Sequence, residues 1–259
     1  MDDESTEFDR PECGLRDPWD GSPSVAFHLL DCAPFSLVAR LQELIGERLL
    51  RNGLDQTVIL VCEHPPIVTV GRRGSWRQLL TPGQESAVDR RFVKWVPRSG
   101  GCIVHGPGQL AVYSIAPHHP ASPAARIFCA ALHRGLASFL GEIGISIRRA
   151  DPQLGIWSRL GAVAVYGNRD SEELTYHGLY LNVYPPRGSL NQVQFLPPSD
   201  VPMGQTARMS SLLAEQRQPV RMAQVRAELM PAIAQALGCE RYHIFTGHPL
   251  LSRVRVHDG

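Results

Sequence analysis

Lysine is almost absent from this chain. Of its 259 residues, 26 are Lys or Arg, and all but Lys94 are Arg. Chemistry that needs an amine side chain therefore has one candidate. Paired cysteines are also missing. Cys13, Cys32, Cys62, Cys102, Cys129 and Cys239 form no C-x-x-C unit, which removes the basis for a zinc or dithiol redox motif. No apolar run approaches the roughly 20 residues of a membrane helix. The net charge of +1 argues against a polyanion-binding surface. The opening MDDESTEFDRPE is acidic and lacks the apolar centre of a secretory leader. The expectation is a cytoplasmic protein with reduced thiols, most of them small apolar fillers. No metal, cofactor, nucleic acid or membrane is expected.

Hydrophobic residues make up 43% and charged residues 20%, enough for a globular core. Residues 1–20 hold eight acids and two arginines, so the remainder carries about +7. We read residues 1–22 as a disordered acidic tail, residues 23–238 as one mixed α/β domain, and residues 239–259 as a C-terminal extension of unassigned role. Leu37, Leu41, Leu44, Ile45 and Leu49 have helical spacing, with Gly53 as the stop. Thr57 to Cys62 is a continuous apolar run, the pattern of a strand buried on both faces. Ile67 to Val70 reads as its continuation beyond Pro65 and Pro66. Gln109 to Ile115 is a further strand. Phe128, Leu132, Leu136, Phe139 and Ile143 mark a core-facing helix. Residues 161–167 and 179–183 read as paired strands with a turn around 168–171. Residues 184–209 show no period and form a long, proline-rich loop. A last helix spans about 220–237, kinked or restarted at Pro231 and stopped by Gly238.

Three segments are too unusual for plain scaffold: EHPP (63–66) followed by GRRG (71–74), RSGGCIVHGPGQ (98–109), and TYHGLYLN (175–182). Paired glycines let a ligand approach the backbone closely. The His-Gly-Pro-Gly turn sets a polar side chain on a rigid bend, and Arg98 suits a phosphate or the orientation of a loop. Alone, a glycine-rich turn or a single histidine is more often structural. Information lies in the combination.

Together the segments resemble the octanoyltransferases, the lipoate-protein ligase B family of the biotin/lipoate protein ligase superfamily. The family pattern EHPPVxTxGR, RGGxxTYHGPGQL, GVW, KIAAIG and TYHGxALNV has its counterparts in EHPPIVTVGR (63–72), RSGGCIVHGPGQL (98–110), GIW (155–157), AVAVYG (162–167) and TYHGLYLNV (175–183). Ser210-Ser211-Leu212 is similar to a later TSL, and the likeness spans about 30–238. It implies a mixed sheet packed with helices around an acyl tunnel. It also implies transfer of an octanoyl or lipoyl group from acyl carrier protein to a lysine of lipoyl domains, in 2-oxoacid dehydrogenases or the glycine cleavage H protein. By matching positions, Arg98, Ser99, Gly100, Gly101, Cys102, Ile103, Val104 and His105 line the substrate pocket. Val165, Tyr166 and Gly167, and Gly178, Leu179 and Tyr180, complete it. The paired His-Gly motifs place His105 and His177 on facing segments around one cavity with Gly100, Gly101 and Gly167.

Two family residues are missing. The lysine opening KIAAIG falls at Ala162, which supplies no charge to favour a thiolate. The loop cysteine falls at Ser199 when aligned from Leu190 and at Met203 when aligned from Ser210. Met203 forms no thioester, and Ser199 needs a base. Cys102 is the one thiol near the presumed site, and the apolar residues after it favour a buried filler. Three readings follow: an acyltransferase working by an altered route, a non-catalytic relative that binds octanoyl or lipoyl groups or their carriers, and, last, an adenylating lipoate ligase.

Overall fold

The computed structural model describes residues 24–53, 57–79, 92–118, 124–171, 173–186, 188–191, 193 and 208–254. The acidic tail and both nucleophile alignments, Ser199 and Met203, lie outside the described residues.

Strands β1 (Ser24–Cys32), β2 (Val58–Glu63), β3 (Ile67–Val70), β4 (Val93–Trp95), β5 (Cys102–His105), β6 (Gln109–Pro117), β7 (Arg149–Asp151), β8 (Gly155–Trp157), β9 (Ala162–Asp170), β10 (Leu174–Asn182) and β11 (Arg241–Thr246) form two sheets. The larger is mixed, in the order β11-β1-β2-β6-β10-β9-β8-β7. The smaller has the order β4-β3-β5. β2 shows why the large sheet is covered on both sides. Ile59 and Val61 belong to one apolar cluster, Leu60 and Cys62 to the other, and all four are buried. A strand apolar on both faces needs a layer against each.

The helical stripes supply those layers. Helix α1 (Phe35–Arg51) buries Val38, Leu41, Ile45 and Leu49 against the face that carries Leu60, Tyr113 and Tyr180. A Cβ at Gly46 of α1 would collide with the Tyr176 side chain, so glycine permits this close helix–sheet approach. Helix α2 (Ala124–Glu142) buries Phe128, Leu132, Leu136 and Phe139 on the opposite face, together with a short α3 (Leu212–Gln216) and α4 (Met222–Ala236). Ser211 caps α3, its hydroxyl accepting from the Ala214 N–H.

The structure corrects one expectation and decides two points the sequence left open. Ile67–Val70 does not extend β2 but moves to the smaller sheet, where it pairs with β4 and β5. Pro65 and Pro66 carry no N–H to continue the ladder. Pro231 does not interrupt the last helix, because α4 runs through it, and Gly238 at φ 75° ends it. The extension after 238, of unassigned role in the sequence, contributes a strand to the sheet. β11 pairs in parallel with β1 from Ser24↔Arg241 to Leu29↔Thr246.

Candidate functional site

The backbone first brings two of the unusual segments together. Gly71 N–H bonds to Gly101 O, Arg72 N–H to Arg98 O, and Arg73 N–H to Gly100 O, each at 3.0 Å. The 98–101 stretch also holds the edge of β9, with Ser99 N–H to Asn168 O at 2.7 Å and Asn168 N–H to Ser99 Oγ at 2.9 Å. The third segment, on β10, pairs with β9 at Gly178↔Gly167.

Arg98 lies across this junction, 5% exposed. Its Nη2 donates to Thr69 O (2.8 Å) and Thr69 Oγ1 (2.7 Å), its Nη1 to Ser99 O (2.8 Å), and its Nε to Thr69 Oγ1 (3.3 Å). Glycine makes the channel. A Cβ on Gly167 would lie 2.6 Å from Arg98 Cδ, and one on Gly71 would lie 2.7 Å from Nη1. Among the described residues no carboxylate pairs with this guanidinium. Burial lowers its pKa, while Tyr180, Cys102 and Tyr113 act the other way. A buried cation held only by neutral acceptors retains attraction for a negative oxygen.

From Thr69 the network runs inward. Thr69 Oγ1 donates to His105 Nε2 (2.9 Å), and His105 Nδ1 donates to Gln109 Oε1 (2.9 Å). Gln109 Nε2 then donates to Val104 O (2.9 Å) and Asn182 Oδ1 (3.0 Å). The pattern assigns a neutral His105 protonated on Nδ1. Burial holds its pKa well below the ordinary value, helped by the charges of His64 and Arg98. A second relay lies beside it. His64 Nδ1 donates to Ala33 O (2.7 Å), and Nε2 accepts from the Tyr113 hydroxyl (2.7 Å), which is hydrogen-bonded in turn to Tyr180. Burial lowers the His64 pKa to about 4. The rings interlock edge to face, His105 on Tyr180 at 4.6 Å and Tyr113 on Tyr180 at 5.7 Å.

Over this layer, between α1 and the segment after β4, opens a cavity of about 280 Å³. Phe35, Ala39 and Trp95 make its apolar walls, and Arg98, Tyr113 and Tyr180 stand at its inner side.

Of the sequence-predicted substrate residues, Arg98, Gly167, Gly178 and Tyr180 line this cavity, and His105 packs beneath it against Tyr180. The others go elsewhere. Ser99 and Gly100 line a separate cavity. Gly101 faces the Gln78 amide. Cys102 and Val104 pack outward from the smaller sheet against Val68, Val70 and Leu79. Cys102, Ile103, Val104 and Val165 all line a small, mostly apolar pocket of about 10 Å³. Tyr166 and Leu179 face the α2–α4 core. Consecutive strand residues point to opposite faces, so a motif carried over as a run includes both.

The shared-cavity expectation for the two histidines is corrected by the same alternation. His105 belongs to the α1 face. His177 turns to the other face, 5.2 Å from Tyr166, and that ring is held by His133 through a 2.8 Å bond. Both nitrogens of His177 are buried without a hydrogen-bond partner among the described residues. Burial, then the charge of His133, lowers its pKa to about 3.

Ala162 is on the α1 face because of a bulge. β8 pairs Ile156↔Ala164 and Trp157↔Ala162, leaving Val163 extra. The insertion turns Ala162 to the side of Val165. Ala162 is fully buried and bridged to Met209, beside the small, mostly apolar pocket. Cys102 also lines that small pocket, but its thiol is engaged elsewhere. Its Sγ donates toward Gln78 Oε1 (3.6 Å) on the outer side of the smaller sheet, and burial pushes the thiol up. Thr69, Gln109, Tyr113 and Asn182 were not singled out for this site. Thr69 and Gln109 stood inside the quoted motifs, but Tyr113 had no signal beyond its strand.

Comparison with known proteins bears on the family and the fold. The sequence profile of the lipoyl protein ligase A/B catalytic domain matches residues 37–234. An octanoyltransferase of Solibacter usitatus is 30% identical over 166 residues, 63% of this chain and 71% of the relative. One of Syntrophotalea carbinolica is 29% identical over 201 residues, 78% and 89% of the two chains. One of Thermobifida fusca is 27% identical over 221 residues, 82% and 87%. Among solved structures, a bi-partite lipoate protein ligase from Thermoplasma acidophilum superposes with a TM-score of 0.61 at 14% identity, over 89% of this chain and 90% of the other. Lipoate-protein ligase A bound with ATP gives 0.59 at 13%, over 89% and 91%. At these identities the structural likeness concerns the fold.

Proposed function

From the premise that this chain belongs to the lipoyl protein ligase A/B catalytic-domain family, we propose that it transfers octanoyl groups in lipoate biosynthesis, with the cavity under α1 receiving the acyl chain. The observation that carries this reading is the buried guanidinium of Arg98, unpaired with any carboxylate among the described residues, at the inner side of a mostly apolar cavity that Arg40, Glu43, Lys94 and Arg169 also line. Apolar walls suit an alkyl chain, and the cation suits the oxygen that gains negative charge when a thioester is attacked. The donor is octanoyl-acyl carrier protein and the acceptor a lysine of a lipoyl domain.

The route is direct. The acceptor amine attacks the thioester carbon, the N–C bond forms and the C–S bond breaks. The carrier sulfur leaves with the proton the amine gives up. Ala162 supplies no charge, and neither Ser199 nor Met203 supplies a thiol, for a covalent relay. Holding donor and acceptor together is worth at most about 7–11 kcal/mol of barrier, so turnover is expected to be slow.

The test is incubation of the purified protein with octanoyl-acyl carrier protein and an apo lipoyl domain, read by intact mass. Gain of one octanoyl group on the lipoyl domain supports the reading, and its absence refutes it. A second reading has its own observation. The full burial of Ala162 in an apolar cluster beside Met209 favours a relative that binds acyl groups without transferring them. Octanoyl binding without lipoyl-domain modification would select it.

A further inference from the structure

The GRRG segment is not used by the acyl cavity, yet the fold pins it beside Gly100. Its two arginines line a second cavity of about 590 Å³, joined there by Arg126 from the first turn of α2. Among the described residues none of Arg72, Arg73 and Arg126 is in an ion pair. All three are exposed at the rim. The one carboxylate in the lining, Asp151, is turned to its own loop, its Oδ1 accepting from the N–H groups of Gln153 and Leu154. Like charges brought together without an acid between them repel, and an anion relieves that repulsion. The N-terminus of the 19-residue helix α2 adds positive potential on the same side. At the wall, Asn168 keeps a buried amide oxygen with no partner, a polar group free to turn its NH₂ toward a ligand oxygen.

We infer that this cavity binds a phosphate ester through Arg72, Arg73 and Arg126. Guanidinium groups suit phosphate oxygens, and the volume exceeds what a bare ion fills, so the ester carries an organic arm. The source follows if the transfer reading holds, and the inference rests on that reading for this point. Acyl carrier proteins present their thioester on a pantetheine arm attached through a phosphodiester. The two cavities share a wall: Arg98 and Gly167 face one, Ser99, Gly100 and Asn168 the other. A phosphate held on one side of that wall fixes the carrier arm close to the acyl cavity.

Calorimetry on the full chain tests this without turnover, so its failure is separable from failure of the transfer reading. The probes are 4′-phosphopantetheine, pantetheine, AMP and inorganic phosphate. The expected result is binding of 4′-phosphopantetheine at least ~tenfold tighter than pantetheine, weakening as salt is raised. Arg73→Gln and Arg126→Gln should each weaken it about tenfold, a loss of about 1.4 kcal/mol, with an unchanged melting temperature. Arg126→Lys should recover part of the loss. Equal affinity for pantetheine and 4′-phosphopantetheine, or unaltered affinity in both glutamine variants, would overturn the phosphate site. Tighter binding of AMP than of 4′-phosphopantetheine would keep the phosphate site and overturn the carrier arm as its source. If transfer is observed, Arg126→Gln should raise KM for octanoyl-acyl carrier protein several-fold and leave kcat unchanged.

Discussion

Under α2 and α4 the large sheet presents Phe27, Val61, Leu110, Val112 and Leu181 to a core of aliphatic and aromatic side chains. Under α1 and the smaller sheet, neighbouring positions of the same strands present Tyr113 and Tyr180, which lie with His64, Thr69, Arg98, His105 and Gln109 in one bonded network. Both faces are equally buried. The apolar face is held by packing, which tolerates exchange of one hydrophobe for another. The polar face is held by directional bonds whose partners must all be present. Its histidines are satisfied, whereas His177 on the apolar face is not. The hydrogen-bonded network beside the acyl cavity is collected on one side of the sheet, and the other side is mainly packed apolar core.

Five changes would break or sharpen that contrast, and the largest is at Tyr180. Tyr180→Ala removes a fully buried ring and should cost about 3–5 kcal/mol in chemical denaturation. It also empties the space beside Gly167 and Gly178, so longer acyl chains should bind better relative to octanoyl. Leu136→Ala on the other face should lose about 2–5 kcal/mol with unchanged chain-length preference. Equal preference in the two variants would remove the functional difference between the faces.

Arg98→Ala comes next. It strands Thr69 O and Ser99 O, and should cost about 3 kcal/mol. Unlike Leu136→Ala, it should also abolish octanoyl binding in the molecules that remain folded, as read by calorimetry below the melting transition.

pH dependence gives a comparable effect. Burial lowers His64 from 6.5 to about 4. The unfolded chain therefore binds this proton more readily than the native one. The stability is present in full above pH 6.5 and is lost as pH falls toward 4, a loss of about 3 kcal/mol from this group. Denaturation midpoints measured across that range should fall with pH. His64→Phe should flatten the slope, and an unchanged slope would count against a neutral, buried His64.

A smaller effect is expected at His177. With neither ring nitrogen bonded among the described residues, His177→Leu should leave the melting temperature unchanged or raise it, with a gain in stability of about 1 kcal/mol at most. His105→Leu, which strands Gln109 Oε1, should lower it. The smallest effect is at Cys102. Cys102→Ser should leave transfer and stability as they are, and intact mass should show no hydroxylamine-sensitive adduct in either protein. Ser199→Ala should likewise retain whatever transfer the native chain has.

Much of this molecule was legible in one dimension. The stripe from Leu37 to Leu49 gave α1, and the run from Thr57 to Cys62 gave a strand buried on both faces. Periodicity works where one face of an element is simply apolar. It was silent for β11, whose RYHIFT is largely exposed and is held to β1 by backbone pairing rather than side-chain pattern. It left a kink and a restart open at Pro231, where the helix continues, because helix packing outweighs the local preference of one residue.

The sequence by itself determined the three main helices, several core strands and the motifs that mark the family, since those depend on residue identity along the chain. Only the tertiary structure decided which motif residues meet. The bulge at Val163 turned Ala162 to the site face, strand alternation sent His105 and His177 to opposite sides, and the smaller sheet carried Cys102 away from the acyl cavity. Each outcome depends on register and on which strand lies beside which, quantities set by packing across the whole sheet and by no single segment.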